Sequence, residues 1–276
     1  MKAHKKDTIW LSCYIYYNEF PDTFLTQKIL PLTKQILKEK NIEQYFFIRY
    51  FDKRGIHIRL RFKGKKEMLE YRIQPFLKKH YQNIRFVTYR PEITRYGGRE
   101  GIMLAEKLFG ASSTAVLYYL EQAKNNSYEN SLGFAIQLNI SMAYSLGMDT
   151  TQTASFFKHV ASHGDETIYA QKLKQQRTNI VPDISHLWKG LDRKILFKEQ
   201  FFNAWIKEVT LIGNEIQNAN KENKLQYIAS KKTNRQNSLW YLYESYIHMN
   251  NNRLGIYNLD EPYIAYIISR ALSHEE

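Results

Sequence analysis

The sequence predicts an α+β protein, with a mixed or antiparallel sheet drawn mostly from residues 8–90 and helices mostly after residue 100. Two observations predict this. Short runs rich in aromatic and β-branched residues, one of them alternating cleanly, crowd the first ninety positions. From Gly101 onward, apolar residues recur at helical spacing over stretches too long for strands. No repeat or low-complexity linker interrupts the chain, so residues 1–276 are read as a single domain with a helical subregion from about 101.

The elements follow in order. Residues 8–17 (Thr-Ile-Trp-Leu-Ser-Cys-Tyr-Ile-Tyr-Tyr) are short and aromatic, hence a strand. Pro21 opens a helical pattern through Phe24, Leu25, Ile29, Leu32, Ile36 and Leu37, ending near Lys40-Asn41. Two strands, 45–51 and 56–62, are joined by Asp52-Lys53-Arg54-Gly55, which has hairpin chemistry. In the second, Ile56, Ile58, Leu60 and Phe62 share one face, and period-2 geometry forces His57, Arg59, Arg61 and Lys63 onto the other. Residues 66–80 read as a helix and 84–89 as a strand. Helices are expected near 101–122, 131–147, 152–162, 194–218, 236–250 and 259–273, with 164–192 polar and irregular.

Composition narrows the function. Forty Lys and Arg stand against 27 Asp and Glu, a formal charge of +13, and the excess is uneven. Residues 1–100 carry 22 basic and 10 acidic side chains, whereas residues 101–276 carry 18 and 17, so the first third must meet something anionic. Cys13 is the only cysteine, which excludes intramolecular disulfides, CxxC redox chemistry and cysteine-rich zinc sites, and points to a reducing cytoplasm. The basic N-terminus runs into a polar-interrupted strand rather than a sustained apolar run, so neither a signal peptide nor a membrane span is expected. No GxGxxG after a strand, P-loop, GxSxG or HExxH occurs.

Three constellations could carry chemistry. In His57-Ile-Arg-Leu-Arg61, two arginines at i and i+2 present parallel guanidinium forks that suit carboxylate or phosphate. His57 stands beside them, and Arg49 on the neighbouring strand would add a third fork; solvated sheet surface is the plainer alternative. In Pro91-Glu-Ile-Thr-Arg-Tyr-Gly-Gly-Arg99, Glu92 and Arg95 lie three apart, and Gly97-Gly98 permits a sharp turn into a helix N-terminus, a ready anion site. In Tyr246-Ile-His-Met-Asn-Asn-Asn-Arg-Leu-Gly255, His248 and Asn252 share a helical face, with Arg253 beside them at the helix end. His159 and His163 are also four apart, but no third ligand follows at a diagnostic spacing, so a surface helix is preferred and no metal is expected. Cys13 reads as a small core residue.

Taken together, Phe47-Ile-Arg-Tyr-Phe-Asp52, His57-Ile-Arg-Leu-Arg-Phe62, Glu92-Ile-Thr-Arg-Tyr-Gly-Gly98 and His248-Met-Asn-Asn-Asn-Arg253 resemble the C-terminal domain of class I lantibiotic dehydratases. The same domain occurs alone in thiopeptide-type bacteriocin biosynthesis proteins, and the resemblance runs in order over roughly residues 10–270. Ser112-Ser113 departs from the family's usual Asp-Ser pair, which reads as a hydroxyl helix cap in place of an acidic one.

The resemblance implies a lyase without a cofactor. A separate tRNA-dependent dehydratase subunit would glutamylate Ser or Thr of a precursor peptide, leader plus core, and this chain would eliminate glutamate to leave dehydroalanine or dehydrobutyrine. Elimination needs a base for the peptide Cα proton and cations for the enolate and the leaving carboxylate. The implied catalytic residues are His248, Arg59, Arg61, Arg95 and Glu92, with Glu92 orienting Arg95; Arg49, His57, Asn252 and Arg253 are expected to bind substrate. A homodimer is kept as an open assembly state. The competing readings are a thiopeptide [4+2] pyridine synthase of the same fold and a non-catalytic module for peptide or RNA, the latter suggested by aromatic residues interleaved with Lys and Arg.

Overall fold

The structure, a computed structural model, describes residues 8–38, 42–123, 127–175, 180–226 and 235–273. The expected helix end at Lys40-Asn41 lies outside the described residues. The chain divides into two compact units, Met1–Pro91 with Ser112–Lys124, and Glu92–Ala111 with Asn125–Glu276.

The first unit is built on a four-stranded sheet of β1 (Thr8–Tyr16), β2 (Ile42–Asp52), β3 (Gly55–Lys65) and β4 (Ile84–Val87), in the order β2-β3-β1-β4 with every pair antiparallel. One helical segment follows β1 and another follows β3, the split β-α-β arrangement of ferredoxin-like folds. Register settles the two faces. Leu11, Cys13 and Ile15 of β1 stand opposite Phe62, Leu60 and Ile58 of β3 and are buried on one side. Burial pushes the Cys13 thiol up to about 12, so it is inert core.

The two helical segments, 21–36 and 66–80, each contain a π turn, at Leu25–Ile29 and Leu69–Ile73. Both π turns come just before a proline, Pro31 and Pro75. Proline has no N–H to give and its ring crowds the carbonyl four residues back, so the preceding turn widens instead of breaking. The wide turns still bury Leu25, Ile29, Leu69 and Ile73.

Ser112-Ser113 is not a helix cap. The helix that follows the Arg-Tyr-Gly-Gly loop runs unbroken over Gly98–Gln122, and both serines are fully buried within it. Ser113 Oγ accepts the Phe47 N–H at 3.1 Å, and Tyr45 Oη meets Thr114 Oγ1 at 3.1 Å. Both contacts fall on β2, an edge strand, and the Ser113 hydroxyl occupies a backbone N–H that would otherwise template a further strand.

The second unit is helical. Its described helices include Tyr128–Ser145, Thr150–Ala161, Glu166–Gln175, Ile180–Asp192, Gln200–Lys221, Arg235–Leu254 and Glu261–Ser273. The expectation of an irregular stretch over 164–192 is corrected here, because two helices occupy it. Ile184, Leu187, Trp188 and Leu191 recur at i, i+3, i+4 and i+7 and are buried, a narrow apolar stripe diluted in the sequence by polar neighbours. The final helix packs against Thr150–Ala161 and Ile180–Asp192, and the Tyr128–Ser145 helix lies against Gln200–Lys221 and Arg235–Leu254. Within this core Asn139 Nδ2 donates to Asn251 Oδ1 at 3.1 Å and Trp205 Nε1 to Ser141 Oγ at 2.8 Å, satisfying groups that would be costly if orphaned.

Candidate active site

The second unit holds a cavity of about 790 Å³, within the usual range of small-ligand sites. Three of its lining segments carry the candidate site residues. The first is the loop carrying Glu92 and Arg95. Tyr96 anchors this loop, buried and stacked on Tyr246 at 6.1 Å with Phe109 edge-on at 5.1 Å. Gly97 and Gly98 follow at φ +81° and +87°, the left-handed region that lets the Gly98 N–H turn back to the Ile93 carbonyl at 2.9 Å. The turn leaves Arg95 on the cavity wall. Its Nη1 meets Glu92 Oε2 at 3.2 Å and its Nε donates to Ser245 Oγ at 3.2 Å.

The second segment is the Arg235–Leu254 helix, which presents Tyr241, Glu244, Ser245 and His248 to the cavity as one i, i+3, i+4, i+7 stripe. The third is the start of the Glu261–Ser273 helix, where Glu261 reaches His248. Its Oε1 and Oε2 lie 2.9 and 3.2 Å from His248 Nδ1. An ionised carboxylate can only accept, so Nδ1 carries the proton and donates it, and Nε2 is left as the lone-pair nitrogen. A carboxylate in the first helical turn is also favoured by the helix dipole.

The remaining residues of the His248–Arg253 segment have other duties. Asn251 pairs with Asn139 in the core, and Arg253, fully buried, donates from Nη1 to the Met249 carbonyl at 2.6 Å with its guanidinium 4.9 Å from the Phe109 ring centre. Arg253 and Asn252 are not among the cavity-lining residues. The helix closes as a Schellman motif, with Ile256 N–H to the Asn251 carbonyl, Gly255 N–H to that of Asn252, and Gly255 at φ +79°.

His57, Arg59 and Arg61 belong to the first unit and do share one face of β3, as their alternation predicts. The neighbouring strands surround them with rings. His57 is fully buried against Tyr14, Tyr16 and Tyr50, and burial pushes its pKa below the usual value. The Arg59 guanidinium lies 3.2 Å from the Tyr50 ring centre and 4.8 Å from that of Tyr14. Arg61 lies 5.0 Å from Phe46 and 4.7 Å from Tyr89. It is 8% exposed, and its Nε and Nη1 have no hydrogen-bond partner among the described residues. Arg49 does not add a third fork. The register sets it opposite Ile58, on the other face of the sheet, where its Nη2 pairs with Asp22 Oδ1 at 2.6 Å.

Three residues escaped the sequence reading. Glu244 and Ser245 lie four and three positions before His248, so helical periodicity alone could have placed them beside it. Glu261 could not be found that way, because an acidic residue before Pro262 at a helix start reads as an ordinary dipole partner.

Comparison with known proteins gives a consistent picture. A model of the lantibiotic biosynthesis dehydratase C-terminal family matches residues 10–272. The nisin biosynthesis protein NisB of Lactococcus lactis subsp. lactis is 27% identical over 277 residues, covering 97% of this chain, which spans about a quarter of NisB (26%). Among solved structures, the pyridine synthase TbtD from thiomuracin biosynthesis superposes with a TM-score of 0.73 at 12% identity, covering 96% of this chain and 98% of TbtD. TsrL gives 0.71 at 16% identity, covering 97% and 95% of the two chains. The tRNA-dependent lantibiotic dehydratase MibB from Microbispora sp. 107891 gives 0.69 at 18%, covering 95% of this chain and 28% of MibB. Identities this low establish a shared fold, and the family match over nearly the whole length establishes the lineage. The chain belongs to the lantibiotic biosynthesis dehydratase C-terminal family.

Proposed function

We propose that this chain is a stand-alone lyase that eliminates glutamate from glutamylated Ser or Thr residues of a precursor peptide, leaving dehydroalanine or dehydrobutyrine. A separate tRNA-dependent dehydratase subunit would supply the glutamylated substrate. The observation that carries the reading is His248 held through Nδ1 by Glu261, on a cavity that Arg95 also lines.

The chemistry follows from that geometry. Nε2 of His248 takes the proton from Cα, and the released electron pair forms the Cα–Cβ double bond. The Cβ–O bond breaks, and its own electron pair leaves with glutamate as a carboxylate. Glu261 fixes the imidazole tautomer and offsets the imidazolium that forms. Two of the three Arg95 nitrogens are engaged by Glu92 and Ser245, leaving Nη2 for an enolate or carboxylate oxygen. In the first unit, Arg61 supports the reading independently. Among the described residues its buried Nε and Nη1 have no hydrogen-bond partner, a state that costs several kcal/mol and that an incoming carboxylate would relieve.

The test is to incubate the purified protein with a glutamylated peptide and follow its mass. Loss of one glutamic acid per modified site supports elimination. No loss with a peptide that another dehydratase processes would overturn it, and coupling of two dehydroalanines with release of a leader would identify the chain as a [4+2] pyridine synthase instead.

A further inference from the structure

His163 and Glu244 line the same cavity with His159 beside them, although the reaction proposed above uses none of the three. His159 lies in the last turn of the Thr150–Ala161 helix and His163 follows just beyond it, its N–H on the Val160 carbonyl at 3.3 Å. Glu244 comes from the distant Arg235–Leu254 helix. The potential ligand atoms of the three side chains all lie within 4.8 Å of one another, and His163 Nδ1 is 3.2 Å from Glu244 Oε1. His163 and Glu244 both line the cavity.

We propose that these residues bind one divalent transition-metal ion, zinc foremost, clamping the two helices together with a coordination position open to the cavity. The donor set is the reason. Two neutral imidazoles and one carboxylate are a known three-protein-ligand zinc set, and borderline nitrogen donors select such ions over magnesium or calcium. In a tetrahedron with bonds of about 2.1 Å the ligand atoms stand roughly 3.4 Å apart, so the present separations, none above 4.8 Å, have to close by little more than an ångström. The surroundings suit a metal site. The Trp240 and Tyr241 rings, 5.6 and 5.9 Å from the His159 ring, limit the swing of its imidazole, and such apolar shells govern solvent access to bound ions. Val160 occupies the position after His159 where the zinc-hydrolase motif HExxH has its glutamate base, so the cluster has no general base of that kind and serves as a clamp.

The proposal is independent of the elimination reading, because its readout is the metal. Tag-free, full-length protein is stripped with chelator and titrated with Zn²⁺ by calorimetry, and with Co²⁺ by visible absorption, whose intensity reports tetrahedral geometry. One equivalent per chain is expected, with a rise in melting temperature as zinc is added. His159→Ala, Glu244→Gln and His163→Asn should each weaken binding by at least about tenfold and abolish that rise. All three positions are at least partly exposed, so circular dichroism should show the helices intact. His80→Ala and His186→Ala, at exposed positions outside the cluster, should leave the stoichiometry unchanged. Absence of zinc binding to the wild type would overturn the site and leave an ordinary His–Glu hydrogen bond. Equal affinity in the three cluster variants would also overturn it, by placing the ion elsewhere.

Discussion

The β3 face of the sheet unit and the cavity of the helical unit surround their basic groups differently. In the sheet unit the cations of β3 face rings: Arg59 lies on Tyr50, Arg61 between Phe46 and Tyr89, and Lys63 is 5.8 Å from the Trp10 ring centre. In the helical unit the basic groups of the cavity face carboxylates: Arg95 on Glu92, His248 on Glu261, His163 on Glu244. Aromatic faces attract a cation without engaging its hydrogen-bonding edge, which at Arg61 leaves Nε and Nη1 unpartnered among the described residues, whereas a carboxylate engages it. The ring-lined face is therefore poised to take an anion from outside. The paired cavity is suited to moving a proton while its charges stay compensated.

The sharpest way to break this comparison is through His248. Its side chain is 29% exposed, so His248→Ala should leave stability nearly unchanged while slowing elimination by about a thousandfold, the scale of a lost general base. Single-turnover mass spectrometry alongside a urea melt checks both halves. Next in size is the contrast between two buried arginines. Arg253 is engaged with the Met249 carbonyl, and Arg253→Ala should cost about 2–4 kcal/mol of stability through the cavity and the lost hydrogen bond. Arg61→Met should instead leave stability unchanged or raise it by about 1 kcal/mol, since it removes a buried charge with no hydrogen-bond partner for Nε and Nη1 among the described residues. Denaturant melts of the two variants test whether partnering, rather than burial, sets the energetics.

The smallest effect concerns His57. Its folded pKa is depressed below the usual 6.5, so in the folded state it stays neutral where the unfolded chain is protonated. Its contribution to stability is complete above that value and is lost as pH falls through it toward the folded pKa. Urea midpoints of wild type and His57→Gln at about pH 7.5 and about pH 5.5 should show the wild type losing more stability on acidification than the variant.

Much of the molecule was legible in its residues because short-range geometry dictates it. The alternation from Ile56 to Phe62 placed His57, Arg59 and Arg61 on one face without any knowledge of the sheet. Gly97-Gly98 announced the turn that the backbone takes. What stayed hidden depends on pairing across the chain. Arg49 lies on the strand next to Arg59, and only the register of β2 on β3 reveals that it points the other way. His159 and His163 lacked a third ligand within their own segment, because Glu244 arrives from another helix. Glu261 was invisible for the same reason, and Ser112-Ser113 was misread as a cap because its partner, the Phe47 N–H, lies on a distant strand. The irregular reading of 164–192 failed differently, since a narrow apolar stripe is diluted there by polar neighbours.

In the proposed reaction His248 removes the Cα proton of a glutamylated residue. A peptide glutamylated at one Ser and deuterated at its Cα tests it most directly, with wild type and His248→Ala compared in single turnover. The account predicts that wild type releases glutamate more slowly from the deuterated peptide than from the protonated one, and that the variant releases almost none. Glutamate release by His248→Ala at the wild-type rate would contradict it.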